Sequence, residues 1–367
     1  MLLVTNRSVP EDANEHKGGP GLLGKHPNHN GPNELRLVEA TKRAGRWTLE
    51  VLPDEVTPAM KRAVGRRADA PLSVVDWAAE KILKAIQPRP RPSGGKTKGK
   101  NVLLYVHGYN NDVEDVLERS LVMSRKFGVE VMPFTWPANG GGIVGGTLSY
   151  KSDKRDAKVS IGAFDRTLAF VGDQLRRVNE LRIEQIRRKA AERHPDNLES
   201  QRRLVSELLD KQCPFSINLL LHSMGNYLYK HLLLSSASEG TGLVFDNVVL
   251  CAADANNKDH ARWVDRIRCR HRVYVTINED DIALRASRLK SGSDQLARLG
   301  HYPFNLTSEH AAYVQFTSAR HVGRSHAYFA DDALKNASIR TFFRKVLNGE
   351  RADQQLDYDP GSNTYRF

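Results

Sequence analysis

The chain has 367 residues, a formal net charge of +12, 40% hydrophobic residues and three cysteines, Cys213, Cys251 and Cys269. That length suits one large α/β domain with insertions, or two domains. Three cysteines without metal-ligand spacing argue against a disulfide framework, and no apolar run approaches the ~20 residues of a membrane span.

The start, Met1-Leu2-Leu3-Val4, lacks the basic lead of a signal peptide. A soluble, cytoplasmic protein is therefore expected. The positive charge is uneven, since residues 61–100 hold eleven Lys/Arg against three Asp/Glu. Such a stretch is a solvated linker by composition, and also a surface for nucleic acid or another acidic partner.

Leu2–Thr5 reads as a strand and residues 6–32 as a long loop. Leu35–Val38 and Trp47–Leu52 read as a hairpin. Val74, Val75, Ala78, Ile82 and Ile86 have helical spacing within Pro71–Ile86. Residues 87–100, rich in Pro, Gly, Lys and Arg, form a linker. Asn101–Val106 is a continuous apolar run, the pattern of a buried parallel strand. It ends in His107-Gly108-Tyr109-Asn110-Asn111, before a helix over Val113–Lys126.

Val129–Trp136 is the next strand, followed by a glycine-rich segment over 139–146. From Ser160, the positions Phe164, Leu168, Val171, Leu175 and Val178 form one apolar stripe of a long helix. It runs toward His194 and ends before Pro195; Glu199–Leu209 is a further helix. Ile217–Leu221 is a strand cut short by His222-Ser223-Met224-Gly225, with a helix over Asn226–Leu234. Leu243–Cys251, Val273–Ile277 and Tyr313–Phe316 read as strands. Ala283–Leu289 and Ile339–Val346 read as helices. Alternating strands and helices from residue 101 predict a mostly parallel sheet covered by helices on both faces.

A serine on a sharp strand-to-helix turn is how such a fold presents a nucleophile. Here the G-x-S-x-G pattern has Leu221 at its first position. Open parallel sheets bind ligands beyond the carboxyl ends of their strands. Ser223, Asp254, Asp280 and Asp281 all fall there, with His321 and His326 late in the chain. The order Ser, Asp, His is that of an α/β-hydrolase triad. A serine hydroxyl needs an imidazole to take its proton, and the imidazole needs a carboxylate to fix its tautomer. Asp254, Asp280 and Asp281 compete for the acid. His326 lies in the better-formed motif, and His222 is expected to be structural. N–H groups of Tyr109 or Asn110 and of Met224 are candidate donors to an oxyanion.

Val106-His107-Gly108-Tyr109-Asn110-Asn111, Phe134-Thr135-Trp136-Pro137, His222-Ser223-Met224-Gly225-Asn226 and Asp281-Ile282-Ala283-Leu284 together resemble a bacterial family of α/β-hydrolase-fold proteins of undefined function, esterase- or lipase-like. Thr5-Asn6-Arg7 is similar to the family's opening strand. The resemblance implies Ser223 as nucleophile, His326 as base and Asp281 as first choice of acid.

The expected organisation is an extension over 1–86, a basic linker over 87–100, a catalytic domain over 101–348 with a helical insertion at 182–212, and a polar tail over 349–367. The expected activity is hydrolysis of a small or lipid-like acyl ester or thioester, without metal or cofactor. The competing expectation is a non-catalytic binding protein that holds nucleic acid or an acidic partner at its basic stretch.

Overall fold

The computed structural model of the chain describes residues 1–10, 17–88, 99–138, 154–211, 215–235, 245–289 and 297–367. The glycine-rich segment 139–146, most of the basic linker and Cys213 lie outside them.

In chain order the elements are β1 (Leu2–Thr5), β2 (Lys17–Gly18), β3 (Arg36–Arg43), β4 (Arg46–Val51), α1 (Pro58–Ala63), α2 (Val74–Ile86), β5 (Val102–Val106), α3 (Val113–Phe127) and β6 (Glu130–Thr135). They continue with α4 (Ile161–Arg193), α5 (Leu198–Lys211), β7 (Ile217–His222), α6 (Met224–Leu234), β8 (Phe245–Cys251), α7 (Ala261–Val264) and β9 (Cys269–Ile277). The last are α8 (Ile282–Leu289), β10 (Ala311–Gln315), α9 (Ala337–Val346), β11 (Asp357–Asp359) and β12 (Thr364–Arg366).

The chain divides into two compact units, one of Met1–Leu52, Asn101–Leu168 and Ser216–Phe367, the other of Pro53–Lys100 and Ala169–Phe215. The first holds a twelve-stranded sheet in the order β11-β12-β10-β9-β8-β7-β5-β6-β1-β3-β4-β2. The run from β12 to β1 is parallel throughout. The flanking strands pair antiparallel.

Apolar runs make the central strands, since both faces of a parallel sheet must be covered. On one face Leu103, Tyr105 and Val131 join Val116, Met123 and Phe127 of α3 and Phe342 and Phe343 of α9 in one core. On the other, Phe134 stacks on Phe164, which meets Tyr229 of α6 edge-on. Capping defines α3. The Asp112 side chain accepts from the Asp115 N–H and Asp115 accepts from the Asp112 N–H, while Gly128 closes the helix at φ 70°.

The expected boundaries differ from this arrangement. Strands β1, β3 and β4 extend the sheet beyond β6, so Met1–Leu52, the larger part of the expected N-terminal extension, belongs to the sheet unit. Ala44 and Gly45, both left-handed, turn β3 into β4. The expected polar tail supplies β11 and β12, because β10 would otherwise leave an open edge. The later segment of the second unit starts at Ala169 rather than at 182, and its earlier segment, Pro53–Lys100, includes α2. Within it Arg177 binds Asp76 at 2.6 Å and Glu180 at 3.0 Å, and Trp77 donates to the Met60 carbonyl at 2.9 Å. Among the described residues no helix is long and apolar enough to cross a membrane.

Candidate active site

Strand order reverses beside β5, whose chain successor β6 lies on one side and β7 on the other. The loops leaving β5 and β7 therefore separate at a topological switch point, where open α/β sheets place their ligand crevice. Val106 is paired with Leu221 across this junction, which sets His107-Gly108 beside His222-Ser223.

Ser223 stands between β7 and α6 at φ 53°, ψ −119°. A non-glycine residue at such angles carries strain that the surroundings must hold. They do so by stitching. The Ser223 N–H donates to the Cys251 carbonyl at 3.0 Å, and the Asp254 N–H donates to the Ser223 carbonyl at 3.1 Å. The buried Asn226 amide donates to the carbonyls of Leu221, Ser223 and Cys251 at 3.0, 3.1 and 3.3 Å. Leu221 is fully buried in β7. The close approach occurs at two other glycines. A Cβ on Gly108 would lie 2.5 Å from the Ser223 Cβ, and one on Gly225 would lie 2.9 Å from the carbonyl oxygens of Val106 and His107.

The loop after β5 is held from below. His107 is fully buried and stacks on Trp136 with centroids 5.2 Å apart. Its Nε2 accepts from the Trp136 N–H at 3.1 Å, so Nδ1 carries the proton, 2.9 Å from the Gly108 carbonyl. Asn111 donates to the carbonyls of Gly108 and Tyr109 at 3.1 and 2.7 Å, and Arg119 donates to Asn111. The Thr5-Asn6-Arg7 segment acts here too. Buried Arg7 donates to Thr135 Oγ1 and to the carbonyls of Gly24, Asn111 and Ala138. Asn110 adopts φ 56°. Met224 supplies the first N–H of α6, which has no acceptor inside its own helix.

Burial lowers the His107 pKa to about 3, with the Arg7 charge adding to the effect. A histidine whose folded pKa is depressed gives stability that is present above the unfolded value near 6.5 and lost as pH falls toward the folded value. Between pH 7 and pH 5, His107 alone is expected to remove about 2 kcal/mol. Urea unfolding at the two pH values checks this, and His107→Gln should flatten the slope.

His326 comes from the loop after β10. Its Nδ1 lies 2.7 Å from Asp281 Oδ2. Asp281 is fully buried, and its other oxygen accepts from the Leu284 N–H at 3.0 Å, capping α8. One carboxylate thus fixes a helix start and an imidazole together. His222 donates through Nε2 to the His326 carbonyl at 3.0 Å, and its ring lies 4.7 Å from that of His326. Burial first, then the His326 charge, hold the His222 pKa well below the usual value. Asn278, at the end of β9, donates to the carbonyls of Gly323 and Ser325 and so fixes the same loop.

The other candidates fall elsewhere. Asp254 is buried against Arg298 at 3.0 Å and accepts from Ser287 at 2.7 Å. Asp280 is exposed, and the Asn278 side chain accepts from its N–H. His321 is exposed at φ 71°. The Ser223 hydroxyl makes no hydrogen bond to another described residue, His326 included. Among the described residues no group of three or more His, Cys, Asp or Glu is placed to hold a metal ion. Arg7, Asn226 and Asn278 were given no roles by sequence reasoning. Their only signal was membership of, or closeness to, the short polar motifs at strand ends.

The parallel sheet, its switch point and the serine turn make this an α/β-hydrolase-fold protein. Residues 94–183 and 186–325 match the family described as "Alpha/beta hydrolase of unknown function (DUF900)", and the chain belongs to that family. A search of curated proteins gives no match. Among solved structures, a presumed cell surface hydrolase from Lactobacillus plantarum WCFS1 is similar at 12% identity, with 70% of this chain and 96% of that one covered and a TM-score of 0.35.

Proposed function

We propose that the protein is a serine hydrolase of carboxylic esters or thioesters. Ser223 is the nucleophile, His326 the base and Asp281 the acid that orients it. The observation that carries this reading is the 2.7 Å contact between His326 and Asp281 at the carboxyl end of the sheet that also carries the strained Ser223 turn.

In the proposed cycle His326 Nε2 takes the Ser223 proton as Oγ attacks the acyl carbon. The oxyanion is met by the Met224 N–H and by an N–H of Tyr109 or Asn110. The protonated His326 then gives its proton to the leaving alcohol or thiol, and water, deprotonated by the same imidazole, releases the acid. The contact between hydroxyl and imidazole forms with substrate bound, as catalytic hydrogen bonds often tighten only in the complex. His222 stays neutral and keeps the His326 backbone in place. The substrate proposed is a small or lipid-like acyl ester.

Fluorophosphonate labelling tests the reading. The wild type should label with 1:1 stoichiometry at Ser223, and Ser223→Ala should not label. A folded wild type that resists the probe and turns over no p-nitrophenyl ester refutes it.

A further inference from the structure

The loop after β5 is tied to α3 through the side chain of Asn111, which is 3% exposed. Its amide is fully engaged. Nδ2 donates to the Gly108 carbonyl at 3.1 Å and to the Tyr109 carbonyl at 2.7 Å. Oδ1 accepts from Arg119, about two turns into α3. A guanidinium only donates and a carbonyl only accepts, so the opposite orientation of the amide would satisfy none of the three. The backbone carbonyl of Asn111 accepts from buried Arg7 at 3.2 Å, and the next residue, Asp112, caps α3. Asn111 is thus anchored from two sides, and its amide carries that anchorage back to Gly108 and Tyr109.

Peptide planarity gives this grip a direction. Both peptide units are trans. The Tyr109 N–H therefore points opposite to the Gly108 C=O, and the Asn110 N–H opposite to the Tyr109 C=O. Drawing both carbonyls onto the Asn111 amide turns both N–H groups away from it. The Tyr109 nitrogen is two bonds from the Gly108 Cα, and a Cβ on that Cα would lie 3.1 Å from Ser223 Oγ. The first of the two peptides therefore adjoins the hydroxyl used in the proposed cycle. His107 Nδ1 holds the Gly108 carbonyl a second time, at 2.9 Å.

We infer that Asn111 is a positioning residue for the oxyanion donors: its amide, oriented by Arg119, sets the direction of the Gly108–Tyr109 and Tyr109–Asn110 peptides before substrate arrives. The catalytic consequence rests on the serine hydrolase reading; the effect on the two peptides does not. A donor already in place needs no reorganisation as charge develops on the attacked carbonyl oxygen. That charge exists only after attack, so the benefit falls on kcat rather than on KM.

The test compares the wild type with Asn111→Asp and Asn111→Leu. Asp keeps the shape and can pair with Arg119 more strongly, but a carboxylate has no proton to donate and repels both carbonyls. Leu removes the donors without adding charge. Each variant should lose about 10²–10³ in kcat for p-nitrophenyl esters, with KM within about threefold of wild type. Crystal structures of the variants give a readout that needs no turnover: at least one of the two peptides should be rotated from its wild-type direction. Wild-type kcat in a folded variant overturns the inference, and so does a loss carried by KM. Both peptides unchanged in the variant crystals also overturn it. So does failure of both variants to fold by circular dichroism, which would make Asn111 a packing residue. A wild type that resists fluorophosphonate sinks the hydrolase reading alone, and the variant crystals then decide whether Asn111 directs the peptides.

Discussion

His326→Ala is expected to lower kcat/KM for p-nitrophenyl esters by about 10⁴-fold or more, with Tm changed by only a few degrees. The large kinetic effect follows from the proposed division of labour. Without the imidazole the Ser223 hydroxyl stays protonated at neutral pH, and the oxyanion donors alone supply the residual rate. The small thermal effect follows from burial. The His326 side chain is 25% exposed, and Asp281 keeps the Leu284 N–H when it is gone. Steady-state kinetics and differential scanning calorimetry on one preparation separate the two effects. A collapse in Tm would assign the His326–Asp281 contact to folding instead.

Gly108→Ala is expected to damage both activity and stability. The added Cβ would lie 2.5 Å from the Ser223 Cβ, 3.0 Å from the His222 carbonyl oxygen and 3.1 Å from Ser223 Oγ. The two nearest are a Cβ fixed to the backbone and a backbone oxygen, so the backbone of one loop has to move. Overpacking of this kind costs about 1–3 kcal/mol. The loop that moves carries Tyr109 and Asn110. Displacing one of the proposed oxyanion donors would add a loss of about 10²–10³ in kcat. Gly19→Ala is the control, because a Cβ there meets nothing within 4 Å. Wild-type kcat in Gly108→Ala would mean that the loops after β5 and β7 have room to relax.

Much of the sheet was legible because its signal is local. Val102–Val106, Ile217–Leu221 and Val273–Ile277 are mostly apolar runs, interrupted only by Asn218 and Thr276, and β5, β7 and the end of β9 lie on them. The stripe at Phe164, Leu168, Val171, Leu175 and Val178 is buried along α4. The polar tail misled because β12 is short, with the pattern Thr364-Tyr365-Arg366, and depends on the exposed edge of β10 rather than on its own composition. The second unit misled for a similar reason. Its two segments lie far apart in sequence, and ion pairs such as Arg177–Asp76 leave no trace in local composition.

The candidate site divides the same way. Residue order and short motifs by themselves determined that a serine would stand on a strand-to-helix turn, that late histidines and strand-end aspartates would follow it, and that the fold would be α/β. Only the tertiary structure decided which carboxylate meets His326. Asp254, Asp280 and Asp281 are alike in type and all follow strands, but a hydrogen bond needs its two atoms within about 3 Å. That distance is set by how loops from three different strands converge. Convergence bound Asp254 to Arg298, left Asp280 in solvent, and set Asp281 against the imidazole.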